Sequence, residues 1–307
     1  MYRRLATIAA VLLAAAMLLT GCRTADDKDG GSNAAGDGQD GLHVVTSFFP
    51  VYVAVINVTD GVPGVTVTNM TEPQTGCLHD YSLKPSDLRL LEKADVFIIN
   101  GAGMESFLDD VLSQQEDLEI IEAAAGIPAI MEENGEENPH VWVSPTNVTA
   151  YVQNIADGLA ALDEKNAELY QKNAASYIRK IETLKQEMHN ELDGLEYKDI
   201  ITFHEAFPYF AQEFGLNIAA VVEREPGTEP TPKELAEIIT LVRETGVRAL
   251  FAEPQYSSGA MDTIAGETGA VVYTLDPVVT GEAVPGARDA YLDAMRRNME
   301  TLKEALG

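Results

Sequence analysis

Three of the five histidines in this 307-residue chain lie where a strand-like run gives way to a helix-like one. His79 sits in "GCLHDYSLKPSD", His140 in "NPHVWVSP" and His204 at the end of "IITFH". His43 opens the first strand-like run, and His189 falls late in a long helical pattern. A single imidazole is as readily a polar filler as a ligand. Three of them on strand-to-helix connections occupy the positions where open α/β sheets bind their ligands. Three neutral imidazoles with one carboxylate suit tetrahedral Zn2+, whereas harder Mn2+ prefers more oxygen and a higher coordination number. Two carboxylates at strand ends could complete the set, Asp276 in "YTLDP" and Glu253 in "LFAEP", and residue type alone leaves both open.

Such donors need a scaffold that brings distant loops together. Short β-branched runs, "LHVVTSF", "VTVTNM", "DVFIIN" and "LEIIEA", alternate with helical patterns that include "PVYVAVINVTDG" and "MESFLDDVLSQQ". The second half repeats the alternation with "DIITF", "IAAVVE", "RALFAEP" and "AVVYTLDP". This is the pattern of βαβ units, and it predicts an α/β fold with two mostly parallel sheets flanked by helices. Between the two sets, residues 164–192 carry Tyr170, Ala174, Tyr177, Ile181, Leu184 and Met188 at alternating steps of four and three. One apolar stripe on a helix of that length, about 43 Å long, predicts a rigid strut joining two lobes, with a coiled-coil dimer seam as the alternative. "TPKE" sets Thr231 at an N-cap with Pro232 and Glu234 behind it, and Ser144 with Pro145 does the same just after "NPHVW". His140 is therefore expected on a stiffened approach to a helix N-terminus. No solenoid-length repeat is visible.

The ends and the composition bound the setting. Arg3 and Arg4 precede an apolar run over residues 5–19 that is short for a membrane span, with small residues before Cys22, the layout of a secretory signal peptide. The ending "LTGC" resembles a bacterial lipobox, which implies cleavage ahead of a lipidated Cys22. The next stretch, "RTADDKDGGSNAAGDGQDG", lacks large apolar residues and reads as a flexible tether. The expected organisation is a signal peptide over 1–21, a lipidated cysteine and tether over 22–41, an N-terminal α/β lobe over 42–163, a linking helix over 164–193 and a C-terminal α/β lobe over 194–307. A net charge of −28 repels nucleic acid and anionic surfaces and concentrates cations. With Cys22 committed to lipid, Cys77 has no disulfide partner, so stability must come from the core. A small packed cysteine is the expected role for Cys77, with a thiolate ligand two residues before His79 as the alternative.

Taken in order, "TSFFPVYV", "LHDYSLKPSD", "ADVFIINGAGMESFLD", "NPHVWVSP", "FHEAFPYF", "EPTPKELAEII", "FAEPQYS" and "YTLDPV" resemble the zinc-binding lipoproteins that serve ATP-driven metal importers. The resemblance spans nearly all of the mature chain. It implies an extracytoplasmic, lipid-anchored, monomeric solute-binding protein, on the cell surface or the periplasmic side, that takes Zn2+ between two lobes and delivers it to an ABC permease. It also implies His79, His140, His204 and Asp276 as the metal ligands, with Glu253 ranked behind Asp276. Manganese members of the family carry glutamate where this chain has His204, and exchange of oxygen for nitrogen favours zinc. This chain departs from many zinc members in lacking a histidine-rich loop before "NPH"; in its place stand Glu132, Glu133, Glu136 and Glu137, read as a solvated acidic turn, with a weak cation-collecting loop as the alternative. Asp80 and Glu205 adjoin proposed ligands as candidate hydrogen-bonding partners. Tyr81, Trp142, Phe203, Phe207 and Tyr209 are expected to line the cleft.

Three rival functions compete with this one: a manganese- or iron-binding member of the same family, a zinc hydrolase and a lipid-anchored adhesin. Hydrolysis needs an open zinc position and a base beside its water. No "HExxH" helix occurs, because the fourth residue after His204 is Pro208.

Overall fold

The computed structural model describes residues 41–307 except 79–80, 114, 116, 133–134, 223–229 and 258. The expected signal peptide, Cys22, nearly all of the tether, His79 and Asp80 lie outside the described residues. The first sheet contains β1 (Leu42–Thr46), β2 (Val65–Asn69), β3 (Val96–Ile99) and β4 (Glu119–Glu122), in the order β2-β1-β3-β4 with every pair parallel. The second repeats that order with β5 (Asp199–Thr202), β6 (Asn217–Val221), β7 (Ala249–Ala252) and β8 (Val271–Thr274), as β6-β5-β7-β8, again all parallel. Composition explains the placing of the strands. Wholly apolar "VFII" and "ALFA" are buried on both faces as the inner strands β3 and β7, while "EIIE" lies at an edge with both glutamates exposed.

The helices are α1 (Phe49–Val58), α2 (Pro85–Leu91), α3 (Asp109–Leu112), α4 (Pro145–Leu162), α5 (Ala167–Leu192), α6 (Pro208–Phe214), α7 (Pro232–Thr245), α8 (Gly259–Thr268) and α9 (Ala290–Leu306). Every residue of α1 is buried, as its all-round apolar sequence requires. Its one amide, Asn57, is satisfied by donating to the carbonyls of Val53 and Arg288, both at 2.9 Å. The α5 helix follows a 3-10 turn at Glu164–Asn166 and runs for 26 residues. Its stripe from Tyr170 to Met188 is buried inside the chain against α4, α1 and α9, so the dimer-seam alternative has no face left to use.

Alternate residues along each inner strand feed different cores. Val44, Ile98, Ile200 and Phe251 join one continuous cluster that runs through both sheets by way of α1, α4, α5, α6 and α9. Val45, Phe97 and Ile99 face a separate outer cluster on the first sheet, and Ile201 and Leu250 face another on the second. Gly281 brings a C-terminal loop onto the Phe49 ring at the start of α1; a Cβ there would lie 2.3 Å from the ring.

One expected helix is much shortened. "MESFLDDVLSQQ" yields a 3-10 turn at Ser106–Leu108 and the four-residue α3. The cause is upstream, where Gly101, Ala102 and Gly103 all take positive φ, a conformation costly for alanine. Glu105 then turns inward to accept hydrogen bonds from the backbone N–H groups of Asn100 and Gly101, at 2.9 and 3.0 Å. Burial pushes the Glu105 carboxyl up to about 7 against the opposing effect of those bonds.

Candidate metal centre

His204 stands two residues beyond β5, and Glu253 is the first residue beyond the neighbouring strand β7. Their adjacency at the sheet's topological switch point is therefore a product of strand order. His204 Nδ1 lies 3.0 Å from Glu253 Oε1, and both side chains are buried. Gln255 Nε2 donates to the other carboxylate oxygen at 2.6 Å. Burial by itself lowers the His204 pKa, but the Glu253 carboxylate and the Cys77 sulfur outweigh it and hold the group well above its ordinary value. With Nδ1 engaged by Glu253, Nε2 is the nitrogen a metal would take.

His140 is delivered by the opposite lobe, from the loop that follows β4. Its backbone N–H donates to Asn138 Oδ1 at 3.0 Å, and its ring Nδ1 lies 3.1 Å from the same oxygen. Asn138 is itself tied across the seam, with Nδ2 donating to the Glu205 carbonyl at 2.9 Å and its own carbonyl accepting from the Tyr209 hydroxyl at 2.8 Å. Asn100 Nδ2 donates to the Pro139 carbonyl at 2.9 Å. On the far side of His140, a 3-10 turn at Val141–Val143 leads to the Ser144 N-cap of α4, where Ser144 Oγ accepts from Asn147 N. Glu213 of α6 binds the Ser144 hydroxyl, and it accepts from Thr146 N at 3.2 Å and Thr146 Oγ1 at 2.7 Å. The first turn of α4 is thus joined to the last turn of α6.

These constraints bring the His140 and His204 rings to 4.8 Å between centroids in an edge-on arrangement, with each residue 1% exposed. The third member of the group is Cys77. Its Sγ lies 3.4 Å from His140 Nε2, and the ligating atoms of Cys77, His140 and His204 all fall within 4.8 Å of one another. A tetrahedral ion with ordinary Zn–N and Zn–S bonds sets its donors about 3.3–3.6 Å apart, so contraction by roughly an ångström would close the group on one ion. Burial pushes the Cys77 thiol up from its ordinary value, and the neighbouring His204 opposes that shift.

Asp276 lies two residues beyond β8, and among the described residues its carboxylate does not belong to this group. Oδ1 accepts from Val278 N at 2.8 Å, and Oδ2 pairs with Arg297 at 3.3 Å. The backbone of Asp276 is bracketed by buried Asn298, which accepts from its N–H and donates to its carbonyl. The next carbonyl, that of Pro277, accepts from Trp142 Nε1 at 2.7 Å, so the Asp276 turn rests against the segment bearing His140. Glu253, the second-ranked carboxylate, holds His204 in this structure. Residue types alone disclose neither that role nor the place of Cys77; strand order supplies a signal for the first.

The expected cleft aromatics divide by task. Trp142 is buried beside His140 and meets Phe48 edge-on at 5.0 Å. Tyr209 fastens the "NPH" loop by its hydroxyl, Phe207 enters the shared core, and Phe203 stacks on Tyr256 in the outer cluster of the second sheet. The Tyr81 hydroxyl donates to Asp87 Oδ2 at 2.8 Å. An antiparallel bridge joins Met131 and Glu137 at the ends of the acidic stretch, and Glu133 lies outside the described residues. Within it, Glu132 accepts from Asn138 Nδ2 at 2.9 Å, while Glu136 and Glu137 are exposed.

A family model described as zinc-uptake complex component A, periplasmic, matches residues 44–305. The manganese-binding lipoprotein MntA of Halalkalibacterium halodurans is 30% identical over 305 residues, covering 96% of this chain and 97% of that protein. The high-affinity zinc uptake system protein ZnuA of Bacillus subtilis is 31% identical over 318 residues, covering 96% of each. A crystal structure of ZnuA superposes with a TM-score of 0.75 at 29% identity, over 87% of this chain and 99% of that one. Relatives named as lipoproteins or periplasmic components fit an extracytoplasmic location, and the family consists of solute-binding transport proteins.

Proposed function

Because this chain belongs to the zinc-uptake complex component A family, we propose that it captures Zn2+ between its two lobes outside the cytoplasm and delivers the ion to an ABC-type permease. The observation that carries the reading is the buried cluster at the seam, where donor atoms from both halves stand within 4.8 Å of one another. The proposed ligand set is His79, His140, His204 and Asp276. In this reading Asp276 exchanges its Arg297 partner for the ion. Glu253 remains beside His204, orienting the ring and raising its basicity. The finer expectations, a lipid anchor on Cys22 and a monomeric carrier, belong to the same proposal.

The seam is already fastened by the bonds of Asn138, Tyr209 and Glu213, so the free energy of metal binding goes into local ordering around the ion instead of a wide swing of the lobes. Release then requires the permease to disturb a loop or the Asp276 turn.

A manganese cargo is the second reading, favoured by the named function of the H. halodurans relative. Two buried imidazoles beside sulfur are a softer donor set than Mn2+ prefers, which argues for zinc. The test is titration of the protein with Zn2+ and with Mn2+, followed through Trp142, the only tryptophan. One zinc per chain, weakened strongly by His79→Ala, His140→Ala, His204→Ala and Asp276→Ala, is the expected result. Tighter binding of manganese would overturn the zinc reading. Loss of binding in Glu253→Ala together with retention in Asp276→Ala would move the fourth ligand to Glu253. Turnover of ester or peptide substrates by the zinc-loaded protein would reopen the hydrolase reading.

A further inference from the structure

We infer that Cys77 is itself a metal ligand, contributing a thiolate that turns the seam toward soft d10 ions and away from Mn2+. This rests on the metal-capture reading above and extends it to the choice of ion.

A cysteine kept only for packing is expected to meet apolar atoms on every side. Cys77 is 6% exposed and touches the shared core, yet its sulfur is aimed at imidazoles: 3.4 Å from His140 Nε2, and within 4.8 Å of the His204 donor. Each histidine has its Nδ1 side committed to a partner, Asn138 for His140 and Glu253 for His204. Both rings are therefore held with the opposite nitrogen for the ion, and the sulfur stands on that side of His140. Drawn together by about an ångström, two nitrogens and one sulfur fill three corners of a tetrahedron, the geometry Zn2+ adopts with cysteine and histidine, so the thiolate replaces one of His79 and Asp276 in the four-donor set. On binding, the thiol proton leaves to solvent and the thiolate takes its place on the metal. Sulfur favours Zn2+, Cd2+ and Cu+ over Mn2+, which prefers oxygen. The adjoining Leu78 is fully buried in the shared core.

The test uses Co2+ as a spectroscopic substitute for zinc, in the chain carrying Cys22→Ala so that Cys77 is the sole thiol. Calorimetry counts bound ions while near-ultraviolet absorbance reports thiolate-to-cobalt charge transfer. The expected result is one Co2+ per chain with a charge-transfer band, and loss of the band in Cys77→Ser with one ion still bound. Competition should show Cys77→Ser lowering the Cd2+-over-Mn2+ affinity ratio at least tenfold. One bound Co2+ without the band would overturn the role of Cys77 and leave the carrier reading standing. No bound metal in the parent chain would remove both. Because the parent spectrum alone decides the first point, the outcome does not depend on the folding of the serine variant.

Discussion

The two sheets share one strand order, so positions can be matched between them, and the matched positions do different work. Two residues past β1 stands Phe48; two residues past β5 stands His204. One residue past β3 is Asn100, and one past β7 is Glu253. In the second sheet the switch point bears the donor and its carboxylate partner directly. In the first, the same two positions serve His140 from behind: Phe48 packs on Trp142, and Asn100 holds the Pro139 carbonyl. A parallel sheet presents strand ends at one edge whichever residues occupy them. One half of the molecule can thus hold a ligand on the frame while the other holds ligands on loops and uses its frame to brace them.

Removing a donor should have the largest effect. Structural zinc sites bind with about 10–16 kcal/mol from four ligands, so His204→Ala or His140→Ala should cost roughly 3–4 kcal/mol, a loss of about a hundred- to a thousandfold in zinc affinity by competition titration. Equal losses would show that loop and frame hold their donors equally well. A far smaller loss for His140→Ala would break the comparison.

Glu105 braces the first lobe alone, and its effect should appear as pH-dependent stability. Its folded carboxyl titrates at about 7 against an ordinary 4.5, so the folded state binds the proton more tightly than the unfolded chain. Stability from this group is full below the ordinary value and declines as pH rises toward 7, by about 3 kcal/mol in all. Urea unfolding from about pH 4.5 to 8 should reveal the decline, and Glu105→Gln should flatten it.

Glu253→Gln keeps a hydrogen-bonding group beside His204 but removes the charge, and should weaken zinc about 10- to 100-fold. Its counterpart Asn100→Ala should act mainly on folding, destabilising by about 1–2 kcal/mol because the Pro139 carbonyl loses its donor. A zinc defect in Asn100→Ala as large as that of Glu253→Gln would erase the distinction between donor frame and bracing frame. Smallest of all, neutralising exposed Glu136 and Glu137 to glutamine should change stability by no more than about 0.5 kcal/mol. Unchanged zinc affinity would agree with a solvated turn, and a marked fall would restore cation collection.

Much of this was legible in the chain because local signals agreed. Alternation marked the strands, Thr231 with Glu234 and Ser144 with Pro145 sit where capping chemistry puts them, and the α5 stripe is buried residue for residue. His140 and His204 could be paired because both follow strand ends. The nearness of Cys77 to His140 and His204 could not be read from the chain, since those neighbours stand far along it. Glu253 reads as a competing ligand in the sequence because residue type does not disclose that β7 lies beside β5. The shortened α3 follows from the positive-φ turn at Gly101, Ala102 and Gly103, onto which Glu105 folds back, and no periodicity records such a turn.

The covering of α1 has a consequence for how the molecule comes into being. This helix belongs to the first quarter of the chain, yet its Asn57 is satisfied by the Arg288 carbonyl and its flank is closed by the turn at Pro285–Asp289 and by α9. A growing polypeptide halted before those residues would leave one flank of a greasy rod bare, even with α4 and α5 already packed on it. Maturation must therefore wait for the tail to arrive, and a chain threaded across a bilayer from its N-terminus would stay pliable until the thread has run out.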